Sequence, residues 1–347
     1  MRLAFQCRRE RGVNLGRLLI ALVAYLLGVG CQSAKPAPAK IMPSVLEMDP
    51  IPRTPERLAR GQYLVEGLVQ CPFCHSEYDY KRRPAEPLPG KKGGGFVFPA
   101  EESGVSAPYL LVAPNISSDP DYGARKWKDA DFVRALRQGI GHDGRTLSPM
   151  MPYAYFRHLS DEDLAAVIVY ERSLAPVHIE RPKTELPEDI KQTFASLPPV
   201  EHVPDPDTLD RVKYGEYLAT VGHCDLCHTP EDDKGNNLPG LTFAGGSPME
   251  GPWGPTVASL NLTPDPSGIS YFDEAMFIAT IRDGRVKARL LSSAMPWAYF
   301  RNLTDSDLGA IFAYLRTLKP VQHRVDNTEP PTYCRICRSK HGLGDRN

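Results

Sequence analysis

The sequence predicts a mainly α protein of two tandem small helical domains with long loops, and three observations predict it. A Cys-x-x-Cys-His pentapeptide occurs twice, as Cys71-Pro72-Phe73-Cys74-His75 and as Cys224-Asp225-Leu226-Cys227-His228. The stretches downstream of the two copies align with each other, and their apolar residues recur at helical spacing with no βαβ pattern. Pro-rich segments lie before the first copy and between the copies, and 347 residues suit two domains of about 100 to 150 residues each.

Taken in order, residues 1–30 place Arg2, Arg8, Arg9, Arg11 and Arg17 ahead of the apolar run 18–29, the layout of an export signal. That run is short for a membrane span. Small residues before Cys31, with Gln32-Ser33 after it, give a lipobox-like pattern in which Cys31 becomes the lipidated first residue. Gly28 stands where such patterns usually carry Leu, so an uncleaved anchor and an ordinary cleaved signal are the alternatives. Residues 31–55 contain Pro36, Pro38, Pro43, Pro50, Pro52 and Pro55 and read as an extended tether. Residues 56–176 are the first domain, 177–206 a Pro-rich linker with one short helix near 188–197, 207–320 the second domain, and 321–347 a tail.

Inside the domains, Gly61-Gln62-Tyr63-Leu64 corresponds to Gly215-Glu216-Tyr217-Leu218, on helices expected to start near Thr54-Pro55 and Asp207-Thr208. Further on, Phe132, Val133 and Leu136 match Phe277, Ile278 and Ile281 along a second helix. Met151-Pro152-Tyr153-Ala154-Tyr155-Phe156-Arg157 then pairs with Met295-Pro296-Trp297-Ala298-Tyr299-Phe300-Arg301. Each half closes on a helix announced by a capping box, Ser160 to Asp163 and Thr304 to Asp307, with Asp replacing the usual Glu. Leu164, Val167 and Ile168, and Leu308, Ile311, Phe312 and Leu315, are its core positions. A duplication accounts for the repeat.

Cys-x-x-Cys alone could bind zinc or cycle as a dithiol. A His directly after the second Cys, twice and in matching contexts, makes it the attachment pattern of a c-type haem: the thiols form thioethers to the porphyrin and the imidazole becomes the proximal iron ligand. Two covalent haems are therefore expected, on Cys71, Cys74 and His75 and on Cys224, Cys227 and His228. The sixth ligand divides carriers from catalysts. Met151 and Met295 stand at equivalent places directly before Pro, and a thioether favours ferrous iron and closes the distal side. The neighbouring Met150 aligns with Ala294 and is set aside. His142, with no counterpart in 285–291, and His158, His178, His202, His223 and His323 are read as surface or structural residues. Asn115, Asn261, Tyr155, Tyr299, Trp127 and Trp297 could bond propionates or pack on porphyrin edges, and turn and core roles explain them as well. No catalytic residue is assigned.

Of eight cysteines, Cys7 lies in the export segment, and Cys334 and Cys337 belong to neither the anchor nor the haem motifs. Arg338 follows Cys337, so no third haem is indicated; a tight disulfide, a metal held together with His341, and a solvated tail are the open readings. Residues 1–30 carry five Arg and one Glu, so the processed polypeptide is mildly acidic. No Lys/Arg stripe points to nucleic acid, and basic-faced proteins are the better partners.

With these motifs, the Asn115-Ile116-Ser117-Ser118-Asp119-Pro120 and Asn261-Leu262-Thr263-Pro264-Asp265-Pro266 segments and the Asp143-Gly144-Arg145 loop, the chain resembles di-haem cytochromes c built from two class I cytochrome c domains. It is similar above all to cytochrome c subunits of bacterial membrane-associated dehydrogenases, over about residues 56–320. The resemblance implies small helical domains each wrapped around one haem, with His75 and His228 as proximal and Met151 and Met295 as distal ligands. It implies a relay of single electrons from a dehydrogenase donor to a cytochrome or oxidase acceptor. Because c-type haem is attached outside the cytoplasm in bacteria, export to the periplasm is expected, and the lipobox-like pattern adds membrane attachment by a lipid on Cys31 as the preferred reading. The alcohol dehydrogenase cytochrome subunit carries three haem domains, and the tail after Pro320 is too short for a third. The enzymatic alternative is a di-haem peroxidase or a thiosulfate-oxidising cytochrome; the first needs a haem open on its distal side, the second a Cys ligand.

Overall fold

The computed structural model describes residues 44–98, 109–193, 197–200, 202–233, 235–250 and 254–346. The export segment, Cys7, Cys31 and the tether as far as Pro43 lie outside the described residues. Helix α1 (Pro55–Tyr63) starts where the Thr54 hydroxyl accepts the Arg57 amide and Pro55 fills the first turn. It widens into one π turn at Leu64–Leu68 and is followed by α2 (Cys71–Cys74), α3 (Asp129–Gln138), α4 (Tyr153–Phe156) and α5 (Asp161–Glu171). After α6 (Glu188–Thr193) the order recurs: α7 (Arg211–Val221), α8 (Cys224–His228), α9 (Glu274–Asp283), α10 (Trp297–Phe300) and α11 (Asp305–Leu315).

Strands are short antiparallel pairs in the loops: β1 (Tyr78–Asp79) with β2 (Glu86–Pro87), β3 (Phe96–Val97) with β4 (Val112–Ala113), β5 (Pro248–Met249) with β6 (Val257–Ala258), β7 (Arg285–Val286) with β8 (Arg289–Leu290), and β9 (Pro331–Tyr333) with β10 (Lys340–Gly342). The described protein is mainly α. No helix among the described residues is long and apolar enough to cross a membrane.

One expected boundary moves. α7 begins at Arg211 because Asp210 is the cap that accepts the Lys213 amide, while Asp207 closes a separate turn on the Leu209 amide. Each half is built on a crossing of its first and last long helices. A Cβ on Gly61 would lie 2.0 Å from the Ala166 carbonyl oxygen, and one on Gly215 1.9 Å from that of Ala310, so α1 meets α5, and α7 meets α11, backbone to backbone.

The halves share one core. Leu64, Leu68, Leu159 and Ile168 from the first and Leu218, Leu303, Leu308 and Leu315 from the second belong to a single apolar cluster, and residues from Ser44 onward form one compact unit. Two tyrosines lock it reciprocally. The Tyr217 hydroxyl donates to Asp163 (2.6 Å) and accepts the Ser160 amide (3.2 Å) at the start of α5; the Tyr63 hydroxyl donates to Asp307 and accepts the Thr304 amide (3.0 Å) at the start of α11. Only half of each expected capping box therefore forms: Ser160 and Thr304 accept the amides of Asp163 and Asp307, while a tyrosine from the other half takes the remaining arm. Described residues of the linker are bonded along the first half, with Asn115 donating to Val177 and Ile179, Thr184 accepting the Val112 amide, and His202 beside Asp161.

Candidate cofactor sites

Gln70 (φ 52°) and His223 (φ 44°), the residues just before the two pentapeptides, both take the left-handed conformation that side chains disfavour. The chain reverses there, and each pentapeptide winds into a single helical turn whose two cysteines, three residues apart, share a face. His75 and His228 follow, each fixed at Nδ1. The Nδ1 of His75 lies 2.8 Å from the Pro114 carbonyl oxygen and that of His228 2.7 Å from Leu260. A carbonyl only accepts, so Nδ1 keeps its proton and Nε2 carries the lone pair a metal needs. Burial holds both imidazoles below their ordinary pKa, in the neutral ligand form. The Gly95 and Gly245 amides bond the carbonyls of the same two histidines at 2.9 and 2.7 Å.

Cys224, Cys227, His228 and Met295 line one cavity of about 1090 Å³, walled by apolar residues such as Leu262, Phe277 and Leu308 together with polar ones such as Arg289, Arg324 and Asp326. That volume reaches the upper end of the range for sites of organic ligands, about 300–1,000 Å³. Two thiols, a neutral imidazole and a thioether around a large space suit a covalently held haem, so the residues fit the group.

In the first half the same backbone contacts place the predicted residues. The amides of Tyr153 and Trp297 both bond the methionine carbonyl two residues back at 2.7 Å, and Pro152 (φ −79°, ψ 50°) repeats Pro296 (φ −77°, ψ 47°). Met151 and Cys71 pack against the core, whereas Met150 is 47% exposed.

Several residues have duties that the sequence left open. Asn115 and Asn261 are loop clamps: each side-chain amide donates to two carbonyls of the segment after its half's last helix, Val177 and Ile179 or Val321 and His323, and each oxygen accepts from Ser117 or Thr263. Trp127 stacks on exposed His142, with ring centroids 4.3 Å apart. Tyr299 crosses to the other half, bonding the Tyr78 hydroxyl and meeting Phe73 edge-on at 6.3 Å; its counterpart Tyr155 meets His223 at the same distance. Burial, and then the nearby Cys227, push the Cys74 thiol up to about 11, so the first pentapeptide ends within electrostatic reach of the second. Sequence reasoning missed this aromatic seam. Its signal was the repeat-equivalent pair Tyr155 and Tyr299, each shortly after a Met-Pro.

No family model matches the chain. The cytochrome c subunit of a quinone alcohol dehydrogenase from Gluconacetobacter polyoxogenes is 31% identical over 234 residues, 61% of this chain and 48% of that protein. Several of the chain's relatives are named as cytochromes c. A diheme cytochrome c-type protein of Cereibacter sphaeroides is 28% identical over 61% of this chain and 73% of its own length. A nicotinate dehydrogenase subunit from Pseudomonas putida is 34% identical over 164 residues, 45% of this chain and 14% of that protein. The chain thus spans about half or less of the length of the first dehydrogenase subunits it matches. Further relatives are named as cytochrome subunits of fructose and gluconate dehydrogenases.

Proposed function

We propose that the chain is a di-haem electron carrier that accepts electrons singly from a dehydrogenase and passes them to a cytochrome or oxidase. The observation that carries the reading is the repeated pentapeptide, each copy ending in a histidine fixed at Nδ1 by a carbonyl and both within one compact unit, because two redox centres so joined shorten each transfer step. Haem at each site supplies a one-electron iron couple. His75 and His228 would hold the iron, their Nδ1 bonds to Pro114 and Leu260 fixing ring orientation and raising ligand basicity. Met151 and Met295 would supply thioethers that favour ferrous iron and exclude small oxidants. The relatives' names support a dehydrogenase as donor, and export with a lipid on Cys31 would hold the carrier at the membrane.

Intact mass should exceed the processed polypeptide by two haems that acid acetone does not extract. The oxidised protein should show the weak near-infrared sulfur-to-iron band of Met-ligated haem. Met151→Ala and Met295→Ala should each remove about half of it and lower one potential, and Met150→Ala should leave it intact. A wild type that lacks the band and turns over peroxide would sink the carrier reading. Cys31→Ser should move the protein from the membrane to the soluble periplasmic fraction; unchanged retention would point to an uncleaved helix.

A further inference from the structure

Two histidines and two cysteines of the tail that follows α11 are buried. His323, Cys334, Cys337 and His341 are 0, 0, 1 and 2% exposed, and one ligand atom from each lies within 4.8 Å of all the others. Both histidines turn Nδ1 to a backbone carbonyl, His323 to Ala244 at 3.0 Å and His341 to Gly342 at 2.9 Å. Each Nδ1 must therefore carry its ring's proton, and the two Nε2 lone pairs point at one another 3.1 Å apart. Two facing acceptors repel unless a cation sits between them. The Cys334 sulfur lies 3.5 Å from the same Nε2 of His323.

We propose that these four side chains form a structural zinc site that clamps the C-terminal residues onto the second half of the protein. Zinc–nitrogen bonds of about 2.0–2.1 Å and zinc–sulfur bonds of about 2.3 Å in a tetrahedron set a nitrogen–nitrogen edge of roughly 3.3 Å and a sulfur–nitrogen edge of roughly 3.5 Å, close to the separations seen. Two thiolates and two neutral imidazoles, all buried, leave no open position, which is the structural rather than the catalytic type. The turn is built for it: the Arg338 amide bonds the Cys334 carbonyl (3.0 Å), the Cys334 amide bonds Ser339 (2.9 Å), and Arg338 takes a left-handed φ of 60° so that β10 can bring His341 back. Each histidine's Nδ1 bond is the outer contact that orients a metal-bound imidazole.

The clamp also reaches the cofactor cavity. A Cβ on Gly246 would lie 2.7 Å from His323 Cε1 and 3.2 Å from the Cys337 sulfur, so only glycine lets this loop lie against the cluster. The adjacent Gly245 amide bonds the His228 carbonyl at 2.7 Å, and Ala244 accepts from His323. Zinc would thereby tie the tail to the loop that supports the proximal side of the second site.

The test uses full-length protein with its haems in place. Elemental analysis should find about one zinc per chain, and zinc-edge X-ray absorption, separate from the iron edge, should find two sulfur and two nitrogen neighbours. The double variant Cys334→Ser/Cys337→Ser and the variant His341→Ala should lose the zinc. Should they not accumulate, the wild type decides: iodoacetamide should label Cys334 and Cys337 only after chelation, and added Zn²⁺ should restore protection. Chelation should also raise amide exchange in 243–247 and 323–342. A Cys334–Cys337 disulfide in the intact mass, labelling indifferent to zinc, zinc that survives the double variant, or unchanged exchange on chelation would each overturn the proposal.

Discussion

Arg137 and Arg282 occupy equivalent places and make equivalent bonds, each to the carbonyl of an arginine (Arg157 or Arg301) and, at 2.7 Å, to the first carboxylate of a last helix (Asp161 or Asp305). Their surroundings differ. The first ion pair is 1% and 7% exposed, the second 31% and 72%. Removing one partner of a buried pair strands the other charge and costs about 3–5 kcal/mol, whereas an exposed pair is worth about 0–1 kcal/mol. Arg137→Ala should therefore lower the unfolding free energy by about 3–5 kcal/mol and Arg282→Ala by roughly 1 kcal/mol, read from denaturant titrations; equal losses would refute the burial argument. Burial alone would raise the Asp161 carboxyl, but Ser44, His202, the Val203 amide and Arg137 together hold it below 3.8. Its contribution is thus present above pH 3.8 and lost as pH falls below, and Asp161→Asn should remove that part of the acid-side loss. Sequence shows the two arginines as equals, because burial is set by neighbours far along the chain.

At the scale of elements, Gly61 and Gly215 separate local from tertiary physics. Within a helix, Gly→Ala ordinarily stabilises by about 0.5–1 kcal/mol. Here the added carbon would meet a carbonyl oxygen of the crossing helix at 2.0 or 1.9 Å, so the helices must part, and overpacking of this kind costs about 1–3 kcal/mol. Gly61→Ala and Gly215→Ala should each lower the denaturation midpoint; a rise in either would show that the crossing tolerates a side chain. The caps Thr54, Ser160 and Thr304, the helix 188–193 and the buried Leu164, Val167, Ile168, Leu308, Ile311, Phe312 and Leu315 could be read from the sequence, since capping and helical period are local. The start of α7 could not, because Asp207 and Asp210 are both good caps and it is Asp210 that accepts the Lys213 amide.

Across the whole molecule, the shared core and the reciprocal bonds of Tyr63 and Tyr217 make the halves one cooperative body. Helix content and the sulfur-to-iron band should therefore be lost in one coincident transition, and two separated transitions would show halves that fold alone. Tyr63→Phe or Tyr217→Phe leaves a helix-start amide without its acceptor and should lower stability by about 1–3 kcal/mol by calorimetry, with no change if water replaces the hydroxyl fully. What the sequence determined by itself is the chemistry that neighbouring residues write: two Cys-x-x-Cys-His turns, two Met-Pro partners, the helical class and the repeat. Each of these depends on spacing within a few residues or on comparison of the chain with itself. Only the tertiary structure decided that the two halves share one core, that tyrosines take the capping arms of the opposite half, and that His323 joins Cys334, Cys337 and His341 in one buried cluster. Those arrangements need residues brought together from distant parts of the chain, and it is burial of a common core that brings them there.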